Sequence, residues 1–400
     1  SLNDFPWLLV PSGGVVALTV LSFGLLGDSL RDTSTEAWSR PAVRQKAKAR
    51  EAVAPTDVPA DSLLSMRNVT IVVDGTHGRE FKADKLPARV LVKGVSFDLK
   101  RGETLGIVGE SGSGKTLTSL SLMGLLPPGV NVSAGTAVVA GEVIDLSNEA
   151  RLAQLRGATV GMIFQEPMSS LNPLFSIGDQ IAEPLIYHKG LTRKAALSVA
   201  VDFLNMVEIP DAKNRLNDYP YQLSGGMRQR VMIAIALSCS PSLLIADEPT
   251  TALDVTIQAQ ILDLLRKLQR ELNMSILFIT HNLGVVAEIA HQVAVMYSGR
   301  IVENADVSSI FNKPLHPYTR ALLRSTPRLD RDRSVHYSST RLPSIKGAMP
   351  SPYDARSGCD FYSRCDFADA DCRAIDANLN VIHPTHSSAC TKWTELESLN

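Results

Sequence analysis

Hydrophobic and polar positions divide the chain into an apolar stretch, a polar segment and a large region of alternating strand and helix patterns. Residues 5–27, FPWLLVPSGGVVALTVLSFGLLG, carry no charge over twenty-three positions. At about 1.5 Å per residue this stretch can cross a bilayer of roughly 30 Å. The basic side chains follow on its C-terminal side, which the positive-inside rule places in the cytoplasm. We therefore expect a transmembrane helix with its cytoplasmic exit at 1–40, with a cleaved signal sequence or a lone signal anchor as alternatives.

The pattern after this stretch predicts an α/β domain. Residues 41–62 are rich in alanine, proline and charge, as linkers are. The domain begins near Leu63, and its strands include the apolar TLGIVG at 104–109. Residues 177–239 are mainly helical, and strands resume at 242–247, 275–280 and 292–299. One face of the helix between the first two carries Ile257, Ile261, Leu264, Leu265, Leu268 and Leu272. This alternation predicts a largely parallel core sheet with a helical insertion.

Composition restricts the class of protein. The 400 residues exceed one ordinary core, so we expect one large domain with smaller appendages. The formal net charge is −1, from 40 basic and 41 acidic residues, which argues against a nucleic-acid partner. Four of the five cysteines lie between positions 359 and 390. In a cytosolic protein such a group is more typical of metal binding than of disulfides.

The segment GESGSGKT is a phosphate-binding loop. A strand precedes it and a helical pattern follows, which is the context that this motif requires. Small residues allow successive backbone N–H groups to surround phosphates, and the helix adds its positive N-terminal end. The candidate residues for ATP and Mg²⁺ are Gly109, Glu110, Ser111, Gly112, Ser113, Gly114, Lys115 and Thr116. Lys115 is expected to reach the β- and γ-phosphates, and the Thr116 hydroxyl to bind Mg²⁺.

Two adjacent carboxylates follow the apolar strand of LLIADEP, 243–249. Asp247 lies at the C-terminal end of this strand, where α/β sheets bind their ligands, and is a candidate for holding Mg²⁺. Glu248 is the candidate general base for the water that attacks the γ-phosphate. Two carboxylates that merely cap a strand end are the alternative.

Six motifs occur in a fixed order along the chain. They are the glycine loop 109–116, IFQEP with Gln165, LSGGMRQR with Ser224, Gly225 and Gly226, LLIADEP with Asp247 and Glu248, TALD with Asp254, and ITH with His281. This order resembles the ATP-binding-cassette (ABC) ATPases and covers about 250 residues, from Leu63 to roughly Phe311.

The resemblance implies both a fold and a mechanism. The fold is a P-loop cassette at 63–311 with a RecA-like core, an antiparallel β subdomain and a helical subdomain at about 165–240. Two cassettes would face head to tail, so that Ser224, Gly225, Gly226 and Asp254 complete the ATP site of the partner. Gln165 would sense Mg²⁺ and the attacking water, and His281 would contact the γ-phosphate and orient that water with Glu248. The aromatic residue that usually stacks on adenine in this family is missing from the early strand, and Phe81 lies in a loop, so the base contact is unassigned.

The segment after the cassette narrows the family. HPYTRALL at 316–323 and FQEPMSSLNPLF at 164–175 resemble the oligopeptide/dipeptide importer ATPases. The resemblance implies an ATP-driven motor for peptides or similar small solutes at the cytoplasmic face of the cell membrane. Its partners would be a second cassette subunit, two permease subunits and an extracytoplasmic solute-binding protein. A soluble cassette ATPase of translation or DNA repair, and a cassette-containing exporter, are the alternatives.

The C-terminal extension at 312–400 contains a cysteine cluster at 359–390. Cys359, Cys365, Cys372 and Cys390 have the spacing C-x5-C-x6-C-x17-C, which lacks the C-x2-C pairs of common zinc sites. In the importer family this tail can carry a 4Fe–4S cluster, for which four thiolates are suitable. Structural zinc and free thiols remain alternatives. His383 and His386 are expected at the surface, with a role as metal ligands as the alternative, and Cys239 is expected in the core.

The end of the apolar stretch bears its own resemblance. LTVLSFGLLGDSLRD at 18–32 resembles the end of the permeases that accompany these importers. We therefore expect residues 1–40 to be the final transmembrane helix of a permease that is fused through 41–62 to the motor.

Overall fold

The computed structural model describes residues 57–73, 88–165, 170–251, 253–326, 344–351 and 358–399. The expected membrane helix 1–40, most of the linker and Phe81 lie outside these ranges. No helix within them has both the length and the apolar character needed to cross a bilayer. The elements below belong to the unit made of Ala49–Leu126 and Val130–Asn400.

The described elements alternate as the hydrophobic pattern predicts. The strands are β1 (Ser62–Val73), β2 (Arg89–Lys100), β3 (Thr104–Val108), β4 (Val130–Val139), β5 (Glu142–Ile144), β6 (Val160–Ile163), β7 (Leu243–Asp247), β8 (Ser275–Thr280), β9 (Gln292–Tyr297), β10 (Arg300–Asp306), β11 (Asn380–His383) and β12 (His386–Ser388). The helices are α1 (Lys115–Met123), α2 (Glu149–Leu155), α3 (Ile177–Lys189), α4 (Arg193–Met206), α5 (Ala212–Arg215), α6 (Gly225–Leu237), α7 (Val255–Leu272), α8 (Leu283–Ile289), α9 (Val307–Asn312), α10 (Pro317–Ser325) and α11 (Trp393–Glu397). Short 3₁₀ turns lie at Pro220–Gln222, Tyr362–Arg364 and Asp371–Arg373.

The larger sheet has a parallel core. Its strand order is β11-β12-β10-β9-β3-β8-β7-β6, and β9, β3, β8, β7 and β6 are mutually parallel. Every residue of β3, β7, β8 and β6 is buried, as expected for strands that helices cover on both faces. The carboxyl ends of these four strands therefore meet at one edge of the sheet.

A second sheet and a group of helices flank this core. The sheet is antiparallel, in the order β2-β1-β4-β5. Helices α3, α4 and α6 bury their apolar faces around Ile181, Phe203 and Val231. Helix α7 buries Ile261, Leu264, Leu265 and Leu268, which belong to the predicted face. Cys239 is also buried, as predicted.

The C-terminal segment is joined to the cassette through the larger sheet. Strand β12 pairs antiparallel with β10, and β11 pairs with β12. The backbone N–H of Ala389 donates to the carbonyl of Val302 at 2.8 Å. The cysteine-bearing tail therefore extends the larger sheet, which also carries the phosphate-binding loop.

The prediction that His386 lies at the surface is wrong. Its side chain is 5% exposed, and Nε2 lies 2.7 Å from Oε1 of Glu303, which is itself fully buried. Glu303 also accepts from the backbone N–H groups of Leu315 at 2.6 Å and His316 at 3.1 Å. A buried carboxylate needs such donors, so the hairpin brings His386 inward to complete the set. His383 stays half-exposed, 3.1 Å from Glu397.

These two histidine–glutamate pairs allow a stability prediction. His386→Ala should lower the free energy of unfolding by about 1.5–3 kcal/mol, because it removes a donor from a buried charged acceptor. His383→Ala is the matched control on the same hairpin, and should cost well under about 1 kcal/mol since its partner is exposed. Urea unfolding of the two variants measures the difference. Equal losses would contradict the buried role of His386.

Candidate active site

The phosphate-binding loop connects β3 to α1, as predicted. Gly109 permits this path, because a Cβ there would lie 2.1 Å from the carbonyl oxygen of Met296. The side chain of Lys115 is buried in the loop, where Nζ donates to the carbonyls of Gly109 at 2.8 Å and Glu110 at 2.9 Å. Burial lowers the pKa of Lys115, and the carboxylates of Glu248, Asp247 and Glu110 oppose that shift. A bound anion next to this amine would therefore favour its charged form.

The Thr116 hydroxyl and the Asp247 carboxyl lie within hydrogen-bond distance of each other. Thr116 Oγ1 donates to Asp247 Oδ1 at 3.3 Å, although the two belong to different elements, α1 and β7. Asp247 is 2% exposed, and burial raises the pKa of its carboxyl to about 6. A hydroxyl and a carboxylate at this distance are the oxygen ligands that Mg²⁺ takes in phosphate sites.

Glu248 is the centre of a hydrogen-bonded group that comes from three strand ends. Its Oε1 lies 3.0 Å from His281 Nδ1, and its Oε2 accepts from Gln165 Nε2 at 3.3 Å. Thr251 Oγ1 donates to the same Oε2 at 2.8 Å. Burial raises the pKa of Glu248, but the hydrogen bonds from His281 and Thr251 outweigh it and hold the pKa below its usual value. The carboxylate is therefore ionised at neutral pH and able to accept a proton.

Glu248 also has an unusual backbone conformation. Its φ is +48°, in the left-handed region that non-glycine residues seldom occupy. The backbone N–H nevertheless donates to the carbonyl of Ile279 at 2.8 Å, which ties this residue to β8. Conformations of this kind are most common at functional sites, where neighbouring structure holds them.

The residues of the LSGG motif lie apart from the group around Glu248. Ser224 is the N-cap of α6, where its hydroxyl accepts from the backbone N–H of Met227 at 3.3 Å. Ser224 and Gly225 are exposed. Asp254 is likewise an exposed N-cap, of α7, accepting from the N–H of Ile257 at 2.9 Å. Within the described residues, none of the hydrogen bonds that join Gln165, Glu248 and His281 involves these positions.

The four C-terminal cysteines line a single pocket. Cys359, Cys365, Cys372 and Cys390 line it together with other side chains, which include Phe361. The backbone N–H of Cys359 donates to the carbonyl of Cys372 at 2.9 Å. Gly358 permits this approach, since its φ is +77° and a Cβ would lie 2.4 Å from that carbonyl oxygen.

These thiols do not form a preformed metal site. Among the described residues, no group of three or more His, Cys, Asp or Glu side chains is arranged so that it could hold a metal ion. Burial raises the pKa of Cys359, raises that of Cys365 to about 11 and raises that of Cys390 to about 12. These three thiols are thus protonated at neutral pH, and a metal would have to displace their protons. The common pocket agrees with the predicted iron–sulfur cluster, but the described residues show no metal-ligand geometry there.

Sequence reasoning missed two residues that contact the phosphate-binding loop. Tyr318 of α10 accepts from the backbone N–H of Glu110 through its hydroxyl, at 2.9 Å. Arg364 donates to both carboxylate oxygens of Glu110, at 2.7 and 2.9 Å. Tyr318 lies within the HPYTRALL segment, whose pattern was noted but whose physical purpose was not recognised.

Comparison with known proteins identifies the family. Residues 92–251 match the family described as ABC transporter, and residues 302–372 match the one described as oligopeptide/dipeptide transporter, C-terminal region. The dipeptide transport ATP-binding protein DppD of Escherichia coli is 47% identical over 310 residues, covering 78% of this chain and 93% of that protein. The chain belongs to the ABC ATP-binding proteins of the oligopeptide/dipeptide importer family. The oligopeptide transport ATP-binding protein AppD of Bacillus subtilis is 52% identical over 285 residues, covering 71% of this chain and 84% of AppD.

Solved structures agree on the cassette fold. A dimeric ATP-binding cassette in a post-hydrolysis state, bound to ADP and Pi, has a TM-score of 0.51 and 28% identity, covering 61% of this chain and 98% of that chain. The cbiO1 cassette of Clostridium perfringens, part of an ABC transporter complex, has a TM-score of 0.52 and 26% identity, covering 64% and 93%. The predicted P-loop cassette is thereby confirmed.

Proposed function

We propose that this chain is the ATP-hydrolysing motor of an importer for peptides or similar small solutes. The observation that carries the proposal is the joint match of a cassette and of the oligopeptide/dipeptide C-terminal region in one chain. Relatives that cover 78% and 71% of this chain are named for dipeptide and oligopeptide transport. A cassette ATPase of translation or DNA repair would lack this C-terminal region, so that alternative is not favoured.

Hydrolysis is assigned to the group at the carboxyl ends of the parallel strands. The backbone N–H groups of the loop and Lys115 would bind the β- and γ-phosphates. Lys115 would then replace its hydrogen bonds to the loop carbonyls by bonds to phosphate oxygens. Thr116 and Asp247 would hold Mg²⁺, which neutralises charge on the phosphates as it does in other P-loop proteins. Glu248 would accept the proton of the attacking water while His281 and Gln165 fix its carboxylate. Their contacts of 3.0 and 3.3 Å support these roles.

The second half of each ATP site would come from another cassette. The exposed N-terminus of α6, with Ser224, Gly225 and Gly226, can donate backbone N–H groups to a γ-phosphate on a partner. Asp254, the N-cap of α7, would contribute to the same partner-facing surface. The similarity to a dimeric cassette bound to ADP and Pi supports this arrangement. Permease subunits and an extracytoplasmic binding protein complete the proposed importer, with the motor on the cytoplasmic face of the membrane.

Glu248→Gln should separate hydrolysis from binding. Loss of a positioned base should lower the single-turnover hydrolysis rate by about 10²–10⁴-fold while ATP binding persists. The variant should then accumulate as a dimer with retained ATP, which gel filtration and nucleotide analysis measure. Glu271→Gln, at an exposed position of α7, is the matched control and should hydrolyse ATP at the wild-type rate.

A companion variant tests the partner contact. A Cβ on Gly225 meets no atom within 4 Å in the folded chain, so Gly225→Ala should fold and bind ATP at its own loop. Combined with Glu248→Gln, it should abolish the ATP-retaining dimer. A Glu248→Gln chain that turns over near the wild-type rate would remove Glu248 from the role of base, and a surviving dimer would remove Gly225 from the interface.

We further propose that Cys359, Cys365, Cys372 and Cys390 hold a 4Fe–4S cluster. Their common pocket supports this, as does the backbone N–H of Phe367, which donates to Cys365 Sγ at 3.3 Å. Hydrogen bonds to the sulfurs are one means by which proteins adjust such clusters. The cluster would supply covalent cross-links to a short segment with little core of its own.

The cluster proposal predicts colour and composition. Protein purified without oxygen should be brown and contain about four iron and four sulfide ions per chain. Cys372→Ser should lose both, whereas Cys239→Ser, which changes a buried cysteine outside the pocket, should keep them. Colourless protein with stoichiometric zinc, or with no metal, would overturn the proposal.

We also propose that residues 1–40 are the last transmembrane helix of a fused permease. The uncharged span 5–27 and the permease-like segment 18–32 support this, although both lie outside the described residues. We expect the intact polypeptide from native membranes to carry several further membrane helices before Ser1. Its mass and sequence measure this, and a soluble segment in that place would refute the fusion.

A further inference from the structure

Two residues of the C-terminal segment form hydrogen bonds with Glu110 of the phosphate-binding loop. The guanidinium of Arg364 forms two parallel hydrogen bonds with its carboxylate, at 2.7 and 2.9 Å. The hydroxyl of Tyr318 accepts its backbone N–H at 2.9 Å. Glu110 is thus held by both its side chain and its main chain, from residues that lie more than 200 positions further along the chain.

Arg364 is itself fixed from several directions. Its side chain is 4% exposed, and Nε donates to the carbonyl of Lys346 at 2.8 Å. A second contact, 3.4 Å long, joins its Nη1 to the hydroxyl of Tyr297. A buried arginine with this many partners has one geometry, so it can position what it binds.

The turn that carries Arg364 also carries two of the cysteines. Between Cys359 and Cys365, Asp360 lies 3.5 Å from Lys93 and 3.6 Å from Arg300. Phe361 is 2% exposed and packs against Tyr297 and Tyr318, with ring centroids 5.2 and 5.4 Å away. This turn therefore carries both the contact with Glu110 and two of the four cysteines that line the pocket.

Charge explains why Glu110 needs such a partner. A loop that binds a triphosphate places an anion next to whatever its own side chains carry, and like charges close together are unfavourable. The carboxylate of Glu110 is 29% exposed, so water screens it only in part. A bidentate arginine both neutralises a carboxylate and fixes its orientation.

We propose that Arg364 is a positioning residue of the ATP site. By neutralising Glu110 and holding it in place, it lets the C-terminal segment complete the phosphate-binding loop of its own chain. Arg364 need not touch the nucleotide, since it acts through Glu110. The inference rests on the proposed ATP site and adds to it a residue outside the cassette motifs.

The test compares nucleotide affinity with turnover. Arg364→Ala should raise the Kd and KM for ATP about tenfold, which corresponds to about 1.4 kcal/mol, and change kcat by less than about twofold. Arg364→Lys keeps the charge but loses the paired geometry, so it should recover part of the affinity. Arg373→Ala is the matched control, because Arg373 lies in the same segment over the ring of Tyr362, 4.6 Å from its centroid.

A double variant separates charge from packing. If Arg364 acts by neutralising Glu110, Glu110→Gln should restore most of the affinity that Arg364→Ala loses. If the arginine were purely structural, the double variant would bind ATP as weakly as Arg364→Ala. Arg364→Lys would then also bind as weakly as Arg364→Ala. Either result overturns the inference. Wild-type affinity in Arg364→Ala also overturns it. Failure of the wild-type chain to bind ATP would instead refute the proposed site itself.

Discussion

The parallel register of β3, β8, β7 and β6 is the constraint on which the site depends. Each strand is buried along its whole length, so the chain can present polar groups only where a strand ends. Parallel strands end at the same edge, and there the chain places the glycine loop after β3, Asp247 at the end of β7 and His281 directly after β8. Residues far apart in sequence thus come within hydrogen-bond distance of one another.

The C-terminal segment extends the larger sheet beyond β10, on the side away from β6. Strand β12 continues the hydrogen bonding of β10, and the buried Glu303 connects β10 to His386 and to the turn before α10. These contacts hold the start of α10 and hence Tyr318, whose hydroxyl accepts the backbone N–H of Glu110 in the loop. The HPYT residues therefore have a physical purpose, which is to connect the sheet edge, the tail and the phosphate-binding loop.

Local and long-range features differed in how far sequence could predict them. The loop, Asp247 and Glu248 follow from a short strand–turn–helix pattern, and the buried face of α7 follows from its periodicity. Arg364 could not be found in this way, because an arginine in a polar, cysteine-rich segment has the pattern of a surface residue, and its partner lies 254 positions away. His386 was misplaced for the same reason, since its burial depends on a carboxylate 83 positions earlier.

Three carboxylates surround a site that must accept a polyanion, and each is made compatible with it differently. Burial keeps the pKa of Asp247 near 6, so this group is easily neutralised, by a proton or a cation. Hydrogen bonds from His281 and Thr251 hold the pKa of Glu248 below its usual value, so it stays ionised, as the proposed general base must be. The carboxylate of Glu110 is paired with Arg364. In the proposed mechanism Glu248 reacts and Asp247 binds a metal, whereas the charge of Glu110 is offset by an arginine of the C-terminal segment.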